Sequence, residues 1–151
     1  MRAVFLHALK QRHYRKEITV HMFSTNVYSY INVLNKAADA SWLREETIMN
    51  NLANVNTPGY KRKDVDFQSV LRTELGNMKY TTLDSKVEHA DLNRLKASTY
   101  VDSANYSYRV DKSNVDVDNE NVELASEKIR YDALTDSMTQ EFARLKMAMQ
   151  K

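Results

Sequence analysis

The stretch Asn50-Asn51-Leu52-Ala53-Asn54-Val55-Asn56-Thr57-Pro58-Gly59-Tyr60 decides how the chain divides. The single Pro of the sequence and one of its two Gly stand side by side here. Proline biases Thr57 away from helical backbone, and Pro-Gly suits the two central positions of a type II turn. A helix arriving from the N-terminal side must therefore stop before Thr57. Four asparagines in Asn50–Asn56 are more than a fraying helix end requires, since Asn is helix-neutral at best. Buried amides at a helix end can bond neighbouring backbone groups and fix the angle at which the chain leaves.

Upstream, Ser24 to Val55 holds neither Gly nor Pro. Val27, Tyr30, Leu34, Ala37, Ser41, Ile48, Leu52 and Val55 recur in threes and fours, with a lapse at Arg44-Glu45. The pattern predicts a helix of about 48 Å, started by Ser24 or Thr25 as cap. Trp42 and Leu43 fall off the main stripe, so this helix is expected to meet more than one neighbour.

Downstream, Asp64 to Leu75 reads as a short helix or extended segment ended by Gly76. Residues 77–113 are polar, with Leu83, Val87, Leu92 and Leu95 scattered among them. Tyr100-Val101 and Tyr106–Val110 alternate as a strand would, which predicts a small hairpin or an irregular ordered loop. From Val117 or Asp118 to Met149 the helical period returns through Leu124, Tyr131, Leu134, Met138, Phe142, Leu145 and Met149. Val122, Ile129 and Ala133 widen that stripe. Asp118 and Glu120 suit the positive end of the helix dipole, and Arg144, Lys146 and Lys151 its negative end.

The expected fold is mainly α. Long N- and C-terminal helices pair as an antiparallel, coiled-coil-like bundle around a polar, partly extended or irregular middle. The expected segments are 1–21, a mis-assigned leader or disordered extension; 22–60, the first helix and its turn; 61–113, a short helix and variable middle; and 114–151, the last helix. One helix pair buries too little surface to be robust alone. The stripes of Leu34, Ile48 and Leu52, and of Leu134, Met138, Phe142 and Leu145, are therefore the expected assembly interface.

Composition narrows the function. Thirty-four of the 151 residues are Leu, Ile, Val or Phe, about 23%, just above the roughly 20% below which chains tend to stay unfolded. Two Gly placed this far apart cannot form a phosphate-cradling loop, and the absence of Cys removes disulfides, thiolate metal sites and a Cys nucleophile. Net charge is unevenly spread. Residues 1–21 carry +4, from Arg2, Lys10, Arg12, Arg15, Lys16 and Glu17, while the rest carries −2. A basic-armed nucleic-acid or membrane-surface module would rest on that arm alone. His89, in Glu88-His89-Ala90-Asp91, is a weak metal candidate because it has no second His one helical turn away. The acids from Asp111 to Glu123 lack the Gly of a calcium loop, and no Ser or Thr is marked as a nucleophile. No catalytic, cofactor or metal residue is expected, and the chain is read as no enzyme.

Asn51-Leu52-Ala53-Asn54-Val55-Asn56-Thr57-Pro58-Gly59-Tyr60-Lys61 resembles the N-terminal signature of the bacterial flagellar rod and hook proteins. The motif residues carried over are Asn51, Leu52, Ala53, Asn54, Thr57, Pro58, Gly59 and Tyr60. Ala38–Arg44 and Asp64–Phe67 look most like the B-type proximal rod subunits of that family, with the C-type subunits as the alternative. Asn114–Glu120, Val122–Ala125, Ile129–Leu134 and Phe142 are similar to the family's other end. The chain departs from the pattern at Lys112-Ser113, where Asn or Gly is usual, at Asn121, where Met is expected, and in residues 1–21, which have no counterpart.

The resemblance implies a structural subunit of the basal-body rod, needed for motility and exported unfolded by the flagellar type III apparatus without a cleaved signal. Its implied partners are identical copies, other rod subunits, the adaptor FliE, and membrane-ring and export-gate proteins. No cofactor, small-molecule substrate or nucleic acid is implied.

The charge asymmetry and the family boundary predict that the native product begins at Met22. Arg15-Lys16-Glu17 also suits a purine-rich ribosome-binding run read through as protein. Intact-mass measurement of protein from its own cells tests this, and a product starting at Met1 would overturn it.

Overall fold

The computed structural model describes the backbone of residues 2–102 and 113–150, with side chains from residue 28 onward. Helix α1 is Arg2–Ala53 and α4 is Val117–Met149. Between them lie β1 (Lys63–Val65), α2 (Gln68–Gly76), α3 (Leu83–Glu88) and β2 (Thr99–Val101). The two long helices pack against each other as expected. Ser41 of α1 meets Glu127 of α4, and Asn51 meets Glu120, so the pair is antiparallel. At 52 and 33 residues the helices span about 78 Å and about 50 Å. Ser24 and Thr25, expected as caps, lie inside α1, which has no Gly or Pro to interrupt it.

The exit from α1 follows the local chemistry. Ala53 ends the helix two residues before the expected Val55. The Tyr60 N–H donates to the Thr57 carbonyl at 3.2 Å, and Gly59 sits at φ +73°. This closes a Pro-Gly turn whose second central position favours a residue without Cβ. Nothing crowds Gly59, so backbone conformation alone demands glycine there.

Asp64–Leu75 contains both expected alternatives in succession. β1 comes first, then α2, whose start is held by Asp66 accepting from the Ser69 N–H and hydroxyl. β1 pairs antiparallel with β2 in the register Lys63↔Val101, Asp64↔Tyr100, Val65↔Thr99. The expected second strand at Tyr106–Val110 lies outside the described residues. α3 departs from the expectation of an irregular polar middle. Thr82 caps it by accepting from the Ser85 N–H, and Val87 anchors it by burial. Tyr30 of α1 donates to Asp84 of α3 at 2.6 Å, and that bond to a carboxylate pushes the phenol up to about 12. α4 begins where expected, with Asp116 accepting from the Asp118 and Asn119 N–H groups.

The apolar core sits elsewhere than the periodicity suggested. Ala40, Phe67 and Leu95 form its buried centre, with Val33, Ala37, Val70, Leu71, Leu92 and Ala97 around them. It lies between α1, α2 and the segment after α3. The leucines that looked scattered therefore close over one face of α1, because the chain folds back along that helix. Leu95 is 1% exposed. Leu95→Ala is expected to cost about 2–5 kcal/mol, read as a lowered urea midpoint with helical circular dichroism retained at zero denaturant.

A polar junction between the terminal helices as the candidate functional site

The only buried residues of α4 are two glutamates. Glu120 and Glu127 are 0% and 1% exposed, and both turn toward α1. The stripe expected from Leu134, Met138 and Leu145 continues at the same spacing through Tyr131, Glu127, Leu124 and Glu120. Arg44, the lapse in the α1 stripe, occupies the facing position. Its guanidinium donates to Glu127 and Asp64 at 2.9 Å each and to Glu123 at 3.1 Å. Ser41 donates to Glu127 at 2.6 Å, and Arg130 reaches the same carboxylate from α4 itself.

Arg62, just before β1, performs the same task one level along. It pairs with Glu120, with Asp64 at 3.1 Å and with Asp102 at 3.6 Å. Two arginines thus gather five carboxylates from α4, β1 and the end of β2. Burial works against the charge of both guanidiniums. Hydrogen bonds and charges from Asp64 and Glu127 for Arg44, and from Glu120 and Asp64 for Arg62, outweigh it and hold both more firmly protonated than usual. For Asp64, burial raises the pKa, but Arg44, the Val65 N–H and Arg62 overcome that and hold it below the ordinary carboxylate range.

Asn51 is the centre of the motif and is fully buried. Its amide donates to the Lys63 carbonyl at 2.8 Å and accepts from the Lys63 N–H at 3.0 Å. One side chain thereby satisfies both outward backbone groups of Lys63, as a third strand would. The same amide donates to Glu120 at 3.0 Å, and Tyr60 donates to its oxygen at 3.3 Å. Asn114 acts from the other side. It accepts from the Arg62 N–H at 2.7 Å and donates to the Asp102 carbonyl at 3.3 Å. Two amides, one at the end of α1 and one ahead of α4, hold the end of the strand pair at which β1 begins and β2 finishes.

The remaining motif residues shape the turn. Asn54 donates to the Asn50 carbonyl at 2.8 Å, and Thr57 donates to Asn54 at 3.4 Å. Leu52 is half-buried, while Ala53, Thr57, Pro58 and Gly59 are exposed. Of the expected stripe residues, Ile48 is fully buried, Leu34, Leu134, Met138 and Leu145 are half-buried, and Phe142 is 51% exposed. His89 stacks on Tyr80 at 4.1 Å between ring centres, and its Nδ1 lies 2.8 Å from the Ser85 carbonyl at the end of α3. Among the described residues no group of three His, Asp or Glu is placed to hold a metal, and no helix is long and apolar enough to cross a membrane. Asn121, a departure from the family pattern, is exposed, so Asn there leaves no buried hole.

The ionic cluster escaped the sequence reading although a trace of it was present. Glu120 and Glu127 are seven residues apart on the apolar stripe of α4, and Arg44 interrupts that of α1. Opposite charges at such positions on two pairing helices signal a buried bridge.

The α1 side of this junction, with Ser41, Arg44, Asn51 and Tyr60, lies within the segment matched by a family described as flagella basal body rod protein, residues 31–61. The flagellar basal body rod protein FlgB of Bacillus subtilis (strain 168) is 34% identical over 129 residues, 85% of this chain and 95% of that protein. The chain belongs to the FlgB family of flagellar basal body rod proteins. FlgB of Borrelia hermsii is 28% identical over 120 residues, 74% of this chain and 89% of that protein. FlgB of Escherichia coli (strain K12) is 27% identical over 95 residues, 58% and 69% of the two. Membership makes the chain a structural rod subunit of the flagellar basal body. The C-type and basic-arm readings are not favoured.

Breaking a buried pair from one side leaves an uncompensated charge. Glu120→Ala, which strips Arg62 and Asn51 of their shared acceptor, is expected to cost about 3–5 kcal/mol in urea unfolding. Acid should act in the same direction. Because folding lowers the pKa of Asp64, its contribution is complete above the unfolded value and lost as pH falls through the folded one. The urea midpoint should fall more steeply below about pH 4 in the parent than in Asp64→Asn.

Proposed function

We propose that this rod subunit assembles through its terminal helices, using Leu34 and Leu52 on α1 and Leu134, Met138, Phe142 and Leu145 on α4, while Ile48, fully buried in the subunit, supports that face from inside. The observation that carries this is the incomplete cover of the α4 stripe. Phe142 is 51% exposed although it shares a face with half-buried Met138 and Leu145. A large aromatic left open on a paired helix is available to a neighbour. The motif Asn51–Tyr60 then serves by aiming the chain out of α1, and residues 22–60 and 114–151 act as the assembling ends around the 61–113 middle.

The partners in this reading are identical copies, other rod subunits, the adaptor FliE, and the membrane-ring and export-gate proteins. The subunit reaches them by type III export in an unfolded state, without a cleaved signal, and performs no catalysis. The lack of Cys suits threading, and helix docking through polar groups suits a chain that must fold after delivery.

Phe142→Asp is expected to abolish motility and rod completion while leaving synthesis, export and monomer folding intact, since the site is open to water in the monomer. Leu52→Asp should do the same with some loss of monomer stability, and Pro58→Ala should fall between these and the parent. Motility, basal-body imaging and subunit blots in complemented deletion strains make the comparison. Normal rods from both Asp variants would exclude the terminal helices as the interface.

A further inference from the structure

The two edges of the small sheet differ in how their backbone groups are met. At the outer edge of β1, Asn51 satisfies both backbone groups of Lys63. Lys63 stands opposite Val101 in the register, so the backbone groups of Val101 also point away from their partner strand. The next bond agrees, since the Asp102 N–H donates to the Arg62 carbonyl at 2.8 Å and such bonds alternate along an antiparallel pair. Thr99, two residues back, points outward as Val101 does. β2 therefore presents two N–H groups and two carbonyls on its free edge, and none of them meets a partner among the described residues. Thr99, Tyr100 and Val101 are all exposed, Tyr100 at 49% and Val101 at 54%. Edge strands are ordinarily blunted by a charge, a Pro or a bulge, and these three residues carry none.

We propose that an extended segment of a different rod protein adds to this edge as a third strand, with a Lys or Arg placed beside Tyr100. The inference rests on the reading of the chain as an assembling subunit, and gives it a contact apart from the terminal helices. One side-chain amide can serve a single residue, as Asn51 serves Lys63. The outward groups of both Thr99 and Val101 require backbone at strand spacing. A covering helix would bury them unpaired. Charge selects the side chain. Burial and the carboxylates of Asp64, Asp102 and Asp66 push the Tyr100 phenol up, against the pull of Arg62. That arginine is already divided among Glu120, Asp64 and Asp102, so the balance on this face is acidic. Lys63 lies on the other face, opposite Val101. A cation over the Tyr100 ring also gains from its π face. Neither described strand of a second copy fits, because Asn51 closes the outer edge of β1 and β2 brings Asp102 with no cation.

Proline at an outward position tests the backbone directly. Val101→Pro removes an N–H that β1 does not use, and its fixed φ and its constraint on Tyr100 both suit an edge strand. Purified full-length Val101→Pro is expected to keep the circular dichroism and urea midpoint of the parent, while cells carrying it lose swimming and rod completion. Thr99→Pro should behave in the same way. Val101→Ala, which keeps the N–H, should swim as the parent does. In a second measurement, a benzophenone amino acid replaces exposed Thr99 and isolated basal bodies are irradiated. The expected adduct joins this chain to a different rod protein, at a site with Lys or Arg within two residues, and is missing from irradiated monomer. If a Pro variant lowers the urea midpoint, the adduct alone decides. Normal swimming of both Pro variants, or no adduct, overturns the proposal. Equal loss from Val101→Ala and Val101→Pro overturns the strand, because the neighbour then needs the side chain. An adduct only between identical copies, or at a site without Lys or Arg, overturns the choice of partner. If the parent chain is missing from basal bodies altogether, the rod-subunit reading falls first and the proposal with it.

Discussion

The docking of α4 on α1 depends on two guanidiniums holding carboxylates out of water. Glu120 and Glu127 are the buried residues of α4, and neither could stay there charged without Arg62 and Arg44. Arg44 projects from α1 itself. Arg62 lies beyond the Pro-Gly turn, so it meets Glu120 only when the chain leaves α1 at the right angle. The turn, the two-stranded sheet and the last helix are thus linked through one set of charges.

Asn51 translates that angle into hydrogen bonds. Its amide pairs with both backbone groups of Lys63 and also touches Glu120, so the end of α1, the start of β1 and the first turns of α4 share one side chain. A hydrophobic residue of equal size would fill the space but leave the Lys63 backbone unsatisfied. An amide has both a donor and an acceptor, and this position uses both. The arrangement separates two tasks along α1. The portion near Ala40 builds the monomer's apolar core with α2 and Leu95, while the Arg44–Asn51 portion joins α4 through polar contacts. Large apolar residues on the outer faces of both long helices, Trp42 and Ile129 among them, therefore remain exposed.

The two long helices, their boundaries near Ala53 and Val117, the Pro-Gly turn and the family were legible in the sequence, whereas α3 and the start of α1 were not. These are local matters: period, caps, and the conformational limits of Pro and Gly act within a few residues of one another. Tertiary structure alone decided what each helix face meets. Arg44 looked like an interruption and Glu120 like a dipole partner, because either role fits an isolated helix. Leu92 and Leu95 looked scattered because their partners, Ala37 and Ala40, lie more than fifty residues away. Whether a charge is solvated or buried in a bridge depends on which distant segment covers it, and no local pattern carries that information.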